Sequence, residues 1–257
     1  WAGWSRDIAT GRLVLPEPYM AGHDGLNPNC PSGIKDFMAV SVLPKINQAP
    51  EMNPVERLIA ATADDMARVN ALILERAESH VDMVPELARY LIESGGKRLR
   101  PMLTVAAAIL FGKGNGSAIN FAAAVEFMHN ATLLHDDVVD ESDQRRGKAS
   151  ANAVFGNEAA VLVGDFLFSR SFQLMVEDGS LEVLRILSNA SAVIAEGEVL
   201  QLSTANNIDT TEADYLKVIG AKTAELFAAA CEVGAIVADR PAEECKALRD
   251  YGMYLGF

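Results

Sequence analysis

Residues 129–147 read HNATLLHDDVVDESDQRRG, an apolar helical run that breaks into three aspartates and then a pair of arginines. On a helix Asp136 and Asp140 lie one turn apart and converge on one face, while Asp137 points about 100° away. Three carboxylates at such spacing suit a hard divalent cation, and the guanidinium groups of Arg145 and Arg146 suit phosphate oxygens. Together they point to a polyphosphate ester held through Mg²⁺. The alternative is a solvated acidic helix end. The helix dipole disfavours that by about 0.3–1 kcal/mol per exposed carboxylate near a C-terminus.

Working outward, the apolar periodicity predicts a long helix over 118–139 ending in the aspartates. Asn53 and Pro54 open an earlier helix, with apolar residues recurring from Val55 to Ala77. Further helices are predicted from Pro85 to Ile92, from Arg100 to Leu110, over 157–176, over 181–202, from Asp214 to Ile219, over 222–238 and over 242–257. No stretch reads as a strand of any length. The pattern predicts an all-α bundle of long helices over 51–257. Residues 1–50, dense in Pro and Gly, predict a separate loose arm with one short helix near 34–42.

The chain has 257 residues, half of them hydrophobic, and a formal net charge of −13. That charge argues against a nucleic-acid partner, because no excess of basic residues is present to neutralise phosphates. An anionic ligand remains compatible if Mg²⁺ supplies positive charge locally. The longest apolar run, from Leu99 to Phe111, is too short to span a bilayer, so no integral membrane association is expected. The N-terminal residues lack a signal-peptide core, and Cys30, Cys231 and Cys245 are too dispersed for a metal cluster. A cytoplasmic protein with reduced thiols is the expectation.

A second basic cluster, GGKRLR at 95–100, places Lys97 and Arg100 three apart after two glycines. It is not a P-loop, because the Lys-Ser/Thr pair is missing. Lys222 and Thr223 are expected to open a helix, where free N–H groups add to an ammonium and a hydroxyl. Gln201 is an isolated polar residue in an apolar segment. Asp165, framed by apolar residues, predicts a buried carboxylate that needs a partner. His129 reads either as an anion-facing group or as a satisfied core histidine. The His135–Asp136 pair lacks the further ligands that a metal-dependent phosphohydrolase needs.

Five spaced motifs, GGKRLRP at 95–101, EFMHNATLLHDDVVDESDQRRG at 126–147, GD at 164–165, GEVLQL at 197–202 and KTAELF at 222–227, closely resemble the trans-isoprenyl diphosphate synthases, the polyprenyl synthetase family. The wording is similar to the long-chain bacterial members that make octaprenyl and decaprenyl diphosphates as ubiquinone side-chain precursors. The resemblance implies an isoprenoid synthase-type bundle around a central cavity. It implies a prenyltransferase that condenses an allylic diphosphate, such as farnesyl diphosphate, with isopentenyl diphosphate. Asp136, Asp137 and Asp140 would hold Mg²⁺ on the allylic diphosphate, with Arg145 on the same group. Lys97, Arg100, His129 and Arg146 would bind isopentenyl diphosphate, and Lys222, Thr223 and Gln201 would support the developing carbocation. A homodimer is expected.

The resemblance also places a second aspartate-rich motif beyond Phe257, so the helical domain is expected to be C-terminally incomplete. The competing expectation is a noncatalytic partner subunit that keeps only the first metal–diphosphate site. Product length is expected to depend on Ala131 and Thr132, about one turn before Asp136. Relatives making short products resemble one another in carrying aromatic residues there. The small side chains in this sequence predict a C40–C50 all-trans product. The alternative is that both residues merely pack in the core.

Overall fold

The computed structural model describes residues 53–112, 116–205, 207 and 209–257, together with the backbone of two short strands, β1 (Ser5–Arg6) and β2 (Leu13–Val14). The strands pair antiparallel. By internal contacts the chain divides into two units, 1–51 and 52–257. The short helix expected near 34–42 lies outside the described residues.

The second unit is helical almost throughout. It comprises α1 (Pro54–Arg76), α2 (Met83–Glu93), α3 (Leu99–Leu110), α4 (Gly116–Val139), α5 (Ala151–Phe155), α6 (Asn157–Asp178), α7 (Leu181–Thr204), α8 (Glu212–Ile219), α9 (Glu225–Val237) and α10 (Ala242–Gly256). The start of α1 shows why the local sequence suffices. Asn53 Oδ1 accepts from the Glu56 amide at 2.9 Å, Glu56 Oε2 accepts from the Asn53 amide at 2.9 Å, and Pro54 occupies the first turn. That reciprocal cap satisfies two otherwise orphaned donors.

The core is organised around α4, which packs on α1, α3, α6 and α9. A helix surrounded on so many sides must be apolar all round. Phe121, Ala122, Ala123, Ala124, Val125, Phe127 and Met128 are all buried in succession. The alanines admit close neighbours, while the Phe and Met side chains fill the space between helices.

Several expectations need adjusting. The α2 helix begins at Met83, with Pro85 inside its first turn, where a missing N–H costs nothing. A β-hairpin and α5, unforeseen in the sequence, follow the aspartates. Strands β3 (Gln144–Arg145) and β4 (Lys148–Ala149) pair antiparallel with Arg145 opposite Lys148. Arg146 (φ 55°) and Gly147 (φ 78°) form the two-residue turn, and positive φ at both positions matches the twist of a hairpin. Lys222 and Thr223 do not open a helix. Gly220–Ala224 is a π turn inside one continuous helix from α8 to α9, so the backbone donors there are committed to the helix.

Among the described residues one helix, α6, is long and apolar enough to cross a membrane by length and composition, although Asp165 and Arg170 interrupt its apolar run. It packs against α4 in the bundle.

Candidate functional site

Asp136 of α4 looks over a cavity of about 410 Å³ whose walls include Met128, Thr132, Phe168, Ser191, Ile194 and Leu202. Its rim carries His135, Asp136, Asp165 and Glu198. The four-residue spacing of Met128, Thr132 and Asp136 puts all three on one helix face, in descending turns. Ala131 is different: it is completely buried in the core cluster and does not line the cavity. Of the two residues expected to share the channel, Thr132 lies on the cavity lining and Ala131 in the core. Met128 is the next residue down.

Asp136 lies on the cavity lining, and exposed Asp140 follows one turn later, its amide donating to Asp136 O at 2.8 Å. Burial pushes the Asp136 carboxyl up to about 6, with Glu198 and Asp140 adding repulsion and Lys222 and Arg145 opposing it. Lys222 Nζ stands 2.8 Å from Glu198 Oε2 and 3.8 Å from Asp136 Oδ2. The ammonium thus bridges two carboxylates from different helices.

The packing that allows this is local. A Cβ on Gly197 would lie 2.7 Å from Ala221 Cβ and 3.0 Å from the Lys222 amide nitrogen. Only glycine lets α7 approach the π turn closely enough for Glu198 to reach Lys222. Glu198 was not singled out from the sequence. Its signal was the acid after a glycine in GEVLQL, three residues before Gln201. Gln201 and Thr223 are half-buried and do not line the cavity.

Asp137 does not join its neighbours. It is fully buried, and both its carboxylate oxygens accept from Arg145 Nε at 2.9 Å, while Arg145 Nη2 reaches Oδ1 at 2.7 Å. The 100° offset that separates it from Asp136 directs it inward to the hairpin. Its backbone oxygen accepts from Asn152 Nδ2 at 3.2 Å and from the Ser142 amide at 2.9 Å. Asp137 is therefore placed as the anchor of Arg145, and the residues expected to be three metal ligands divide into two carboxylates and one internal ion-pair partner. Asp165 is exposed instead of buried, although it has a partner: His135 Nε2 stands 3.4 Å from its Oδ1 and 3.2 Å from Val161 O.

The basic cluster forms a second, smaller cavity of about 120 Å³ lined by Gly96, Lys97, Arg98, Arg100, His129 and Arg146, with Glu126 and Phe227 among its remaining walls. Lys97 precedes α3 in the loop instead of sharing a helical turn with Arg100. Arg100 stacks on Phe227 with its guanidinium carbon 4.2 Å from the ring centroid, and its Nη1 donates to His129 Nε2 at 3.2 Å. Burial and the neighbouring arginines hold His129 well below the usual imidazole range. It is neutral at pH 7, with Nε2 an acceptor and Nδ1 the protonated nitrogen. Gly96 (φ 153°) has no Cβ where Arg146 Nη1 sits; a Cβ there would be 2.5 Å away. That close approach brings the hairpin arginine beside the 95–100 loop.

Among the described residues no three His, Cys, Asp or Glu groups converge to enclose a metal ion by themselves. Mg²⁺, however, is commonly held by one or two carboxylates together with phosphate oxygens. Asp136 on the cavity lining with Asp140 near enough to repel it, an Asp136 carboxyl destabilised by burial, and a buried Glu198 Oε1 with no hydrogen-bond partner among the described residues suit that shared mode.

A helical bundle with an apolar cavity, carboxylates at its mouth and a basic pocket beside them defines a protein of the isoprenoid synthase architecture. The polyprenyl synthetase profile matches residues 81–257, and the chain belongs to that family. It is 54% identical over 202 residues to octaprenyl diphosphate synthase of Escherichia coli K12, covering 79% of this chain and 62% of that protein. The crystal structure of a decaprenyl diphosphate synthase from Rhodobacter capsulatus superposes with a TM-score of 0.78 at 60% identity, over 79% of this chain and 63% of that one. A polyprenyl synthase from Caulobacter crescentus CB15, crystallised with calcium and isoprenyl diphosphate, gives a TM-score of 0.78 at 54% identity, over 81% of this chain and 63% of that one. The chain thus spans under two thirds of the length of these relatives.

Proposed function

We propose that the protein elongates an allylic prenyl diphosphate, such as farnesyl diphosphate, with isopentenyl diphosphate to a long all-trans polyprenyl diphosphate of about C40–C50. The observation that carries this reading is the placement of Asp136 and Glu198 on the lining of an apolar cavity, with Lys222 bridging the two carboxylates. Charge sits where a diphosphate would leave, and hydrocarbon surface sits where a chain would grow. Relatives named as octaprenyl and decaprenyl diphosphate synthases support the long product.

In the reaction, the allylic C–O bond breaks and its electron pair leaves with the diphosphate. The isopentenyl double bond attacks the allylic cation, a new C–C bond forms, and a proton is lost to the departing diphosphate. Mg²⁺ on Asp136 and Asp140 would neutralise charge on that leaving group when bound. Arg145, oriented by Asp137, would hold the same diphosphate. Lys222, fixed by Glu198, would add positive charge beside it. Arg100, seated on Phe227, would bind isopentenyl diphosphate with Lys97 and Arg146, and neutral His129 would orient Arg100. Preorganised charge of this kind lowers the barrier because it is in place before the bond breaks.

The same reading takes the protein as a cytoplasmic homodimer in ubiquinone precursor synthesis. Exposed Leu162 and Val176 on α6 offer apolar surface for a second copy. The test is incubation of the protein from its complete reading frame with Mg²⁺, farnesyl diphosphate and labelled isopentenyl diphosphate, followed by chromatography of the dephosphorylated products. C40–C50 products support the reading. Diphosphate binding without elongation would instead assign a noncatalytic partner role.

A further inference from the structure

Glu126 lies inside the basic pocket, yet it carries the wrong charge to bind a phosphate. It is on α4 one turn before His129, and its side chain is 8% exposed. Oε1 accepts from Arg98 Nη1 at 3.1 Å, while Oε2 is buried and takes no hydrogen bond from the described residues. Arg98 holds the left-handed conformation (φ 45°, ψ 43°) immediately before α3, a backbone region unfavourable to a residue with a Cβ. Its second terminal nitrogen, Nη2, donates to Ile92 O at 3.2 Å. The Arg98 guanidinium is therefore committed to the protein, tying the end of α2 and the middle of α4 to one strained turn. That turn separates Lys97 from Arg100. Burial pushes the Glu126 carboxyl upward, and Arg98, Arg100, Asn130 and Arg146 pull it back. Burial likewise lowers Arg100, to about 10, and Glu126 opposes it.

We propose that Glu126 is a positioning residue for the diphosphate of isopentenyl diphosphate. By clamping Arg98 it fixes the left-handed turn, so that Lys97 and Arg100 meet the ligand as one preorganised cradle. The inference rests on the reading of this pocket as the isopentenyl diphosphate end. A carboxylate beside a bound diphosphate is tolerable because Arg98, which the ligand does not use, neutralises it. A purely structural tie between α4 and the loop would affect folding stability and leave substrate affinity alone.

Two variants of the protein from its complete reading frame separate these roles: Glu126→Gln, which keeps the shape, and the charge-free pair Arg98→Met with Glu126→Met, which avoids an unpaired buried charge. Each should raise KM for isopentenyl diphosphate about tenfold or more while KM for farnesyl diphosphate stays within about twofold. Calorimetric titration with inorganic diphosphate in the presence of a chelator should show a matching loss of affinity. A lowered melting temperature with unchanged KM for isopentenyl diphosphate and unchanged diphosphate affinity overturns the proposal. If the wild-type protein consumes no isopentenyl diphosphate, the functional reading fails, and the calorimetric comparison alone decides the role of Glu126.

Discussion

Placing a phenyl ring at Thr132 and at Ala131 should give opposite results. Thr132 lies four residues before Asp136, a drop of about 6 Å along α4, and Met128 lies about 12 Å down on the same face. Both line the cavity. Phenylalanine at 132 would therefore close the channel one turn below the aspartates, and Thr132→Phe should shift the product from C40–C50 toward C15–C20. Its stability cost should be small, because the ring enters existing space. Ala131 is completely buried against the core, so Ala131→Phe must displace neighbours. Overpacking of this kind costs about 1–3 kcal/mol. For a domain of this size that lowers Tm by about 2–4 °C for each kcal/mol. The product should remain long. The assay is chromatography of dephosphorylated products beside thermal melts of both variants. A short product from Ala131→Phe with an unchanged one from Thr132→Phe would refute this account of the channel.

Asp136 is protonated more readily in the folded, metal-free protein than in the unfolded chain, where 3.8 applies, because burial, with repulsion from Glu198 and Asp140, raises it to about 6 against the pull of Lys222 and Arg145. Its contribution to stability, at most about 3 kcal/mol, is complete below pH 4 and lost as pH rises through 6. Melts with and without Asp136→Asn should show that slope disappear, and an unaltered slope would exclude it. Gly197→Ala should cost about 1–3 kcal/mol, since the new methyl meets Ala221 and the Lys222 backbone, neither of which can swing away. It should also raise the Mg²⁺ concentration needed for activity; an unchanged melt and metal titration would contradict the role given to that contact. Asp137→Asn strands the half-buried Arg145 guanidinium and should destabilise the fold by about 3–5 kcal/mol, toward the lower end because Arg145 keeps 26% exposure. Denaturant titration reads this directly, and a midpoint equal to wild type would show that the pair carries no stability.

Local chemistry in the sequence was sufficient for the long helices and for the two charged clusters, although not for α5 or for the π turn at Lys222. The Asn53–Glu56 cap, the apolar repeat through α1 and the predominance of small and apolar residues in α4 each declare a helix from nearest-neighbour effects alone. The four-residue spacing of Asp136 and Asp140 was equally legible, because helical geometry alone places them on one face. What depended on neighbours distant in the chain was invisible there. Asp137 differs from Asp136 by one position, yet only the hairpin folding back against α4 makes it the partner of Arg145. Ala131 and Thr132 are adjacent small residues, and only the packing around α4 decides that one is core and the other cavity wall. Glu198 gained significance when α7 met the π turn at Gly197, and Glu126 when Arg98 was drawn into the pocket. Secondary structure follows from interactions a few residues apart. The partner of a buried charge is chosen by helices that meet from far along the chain, so that choice belongs to the tertiary structure.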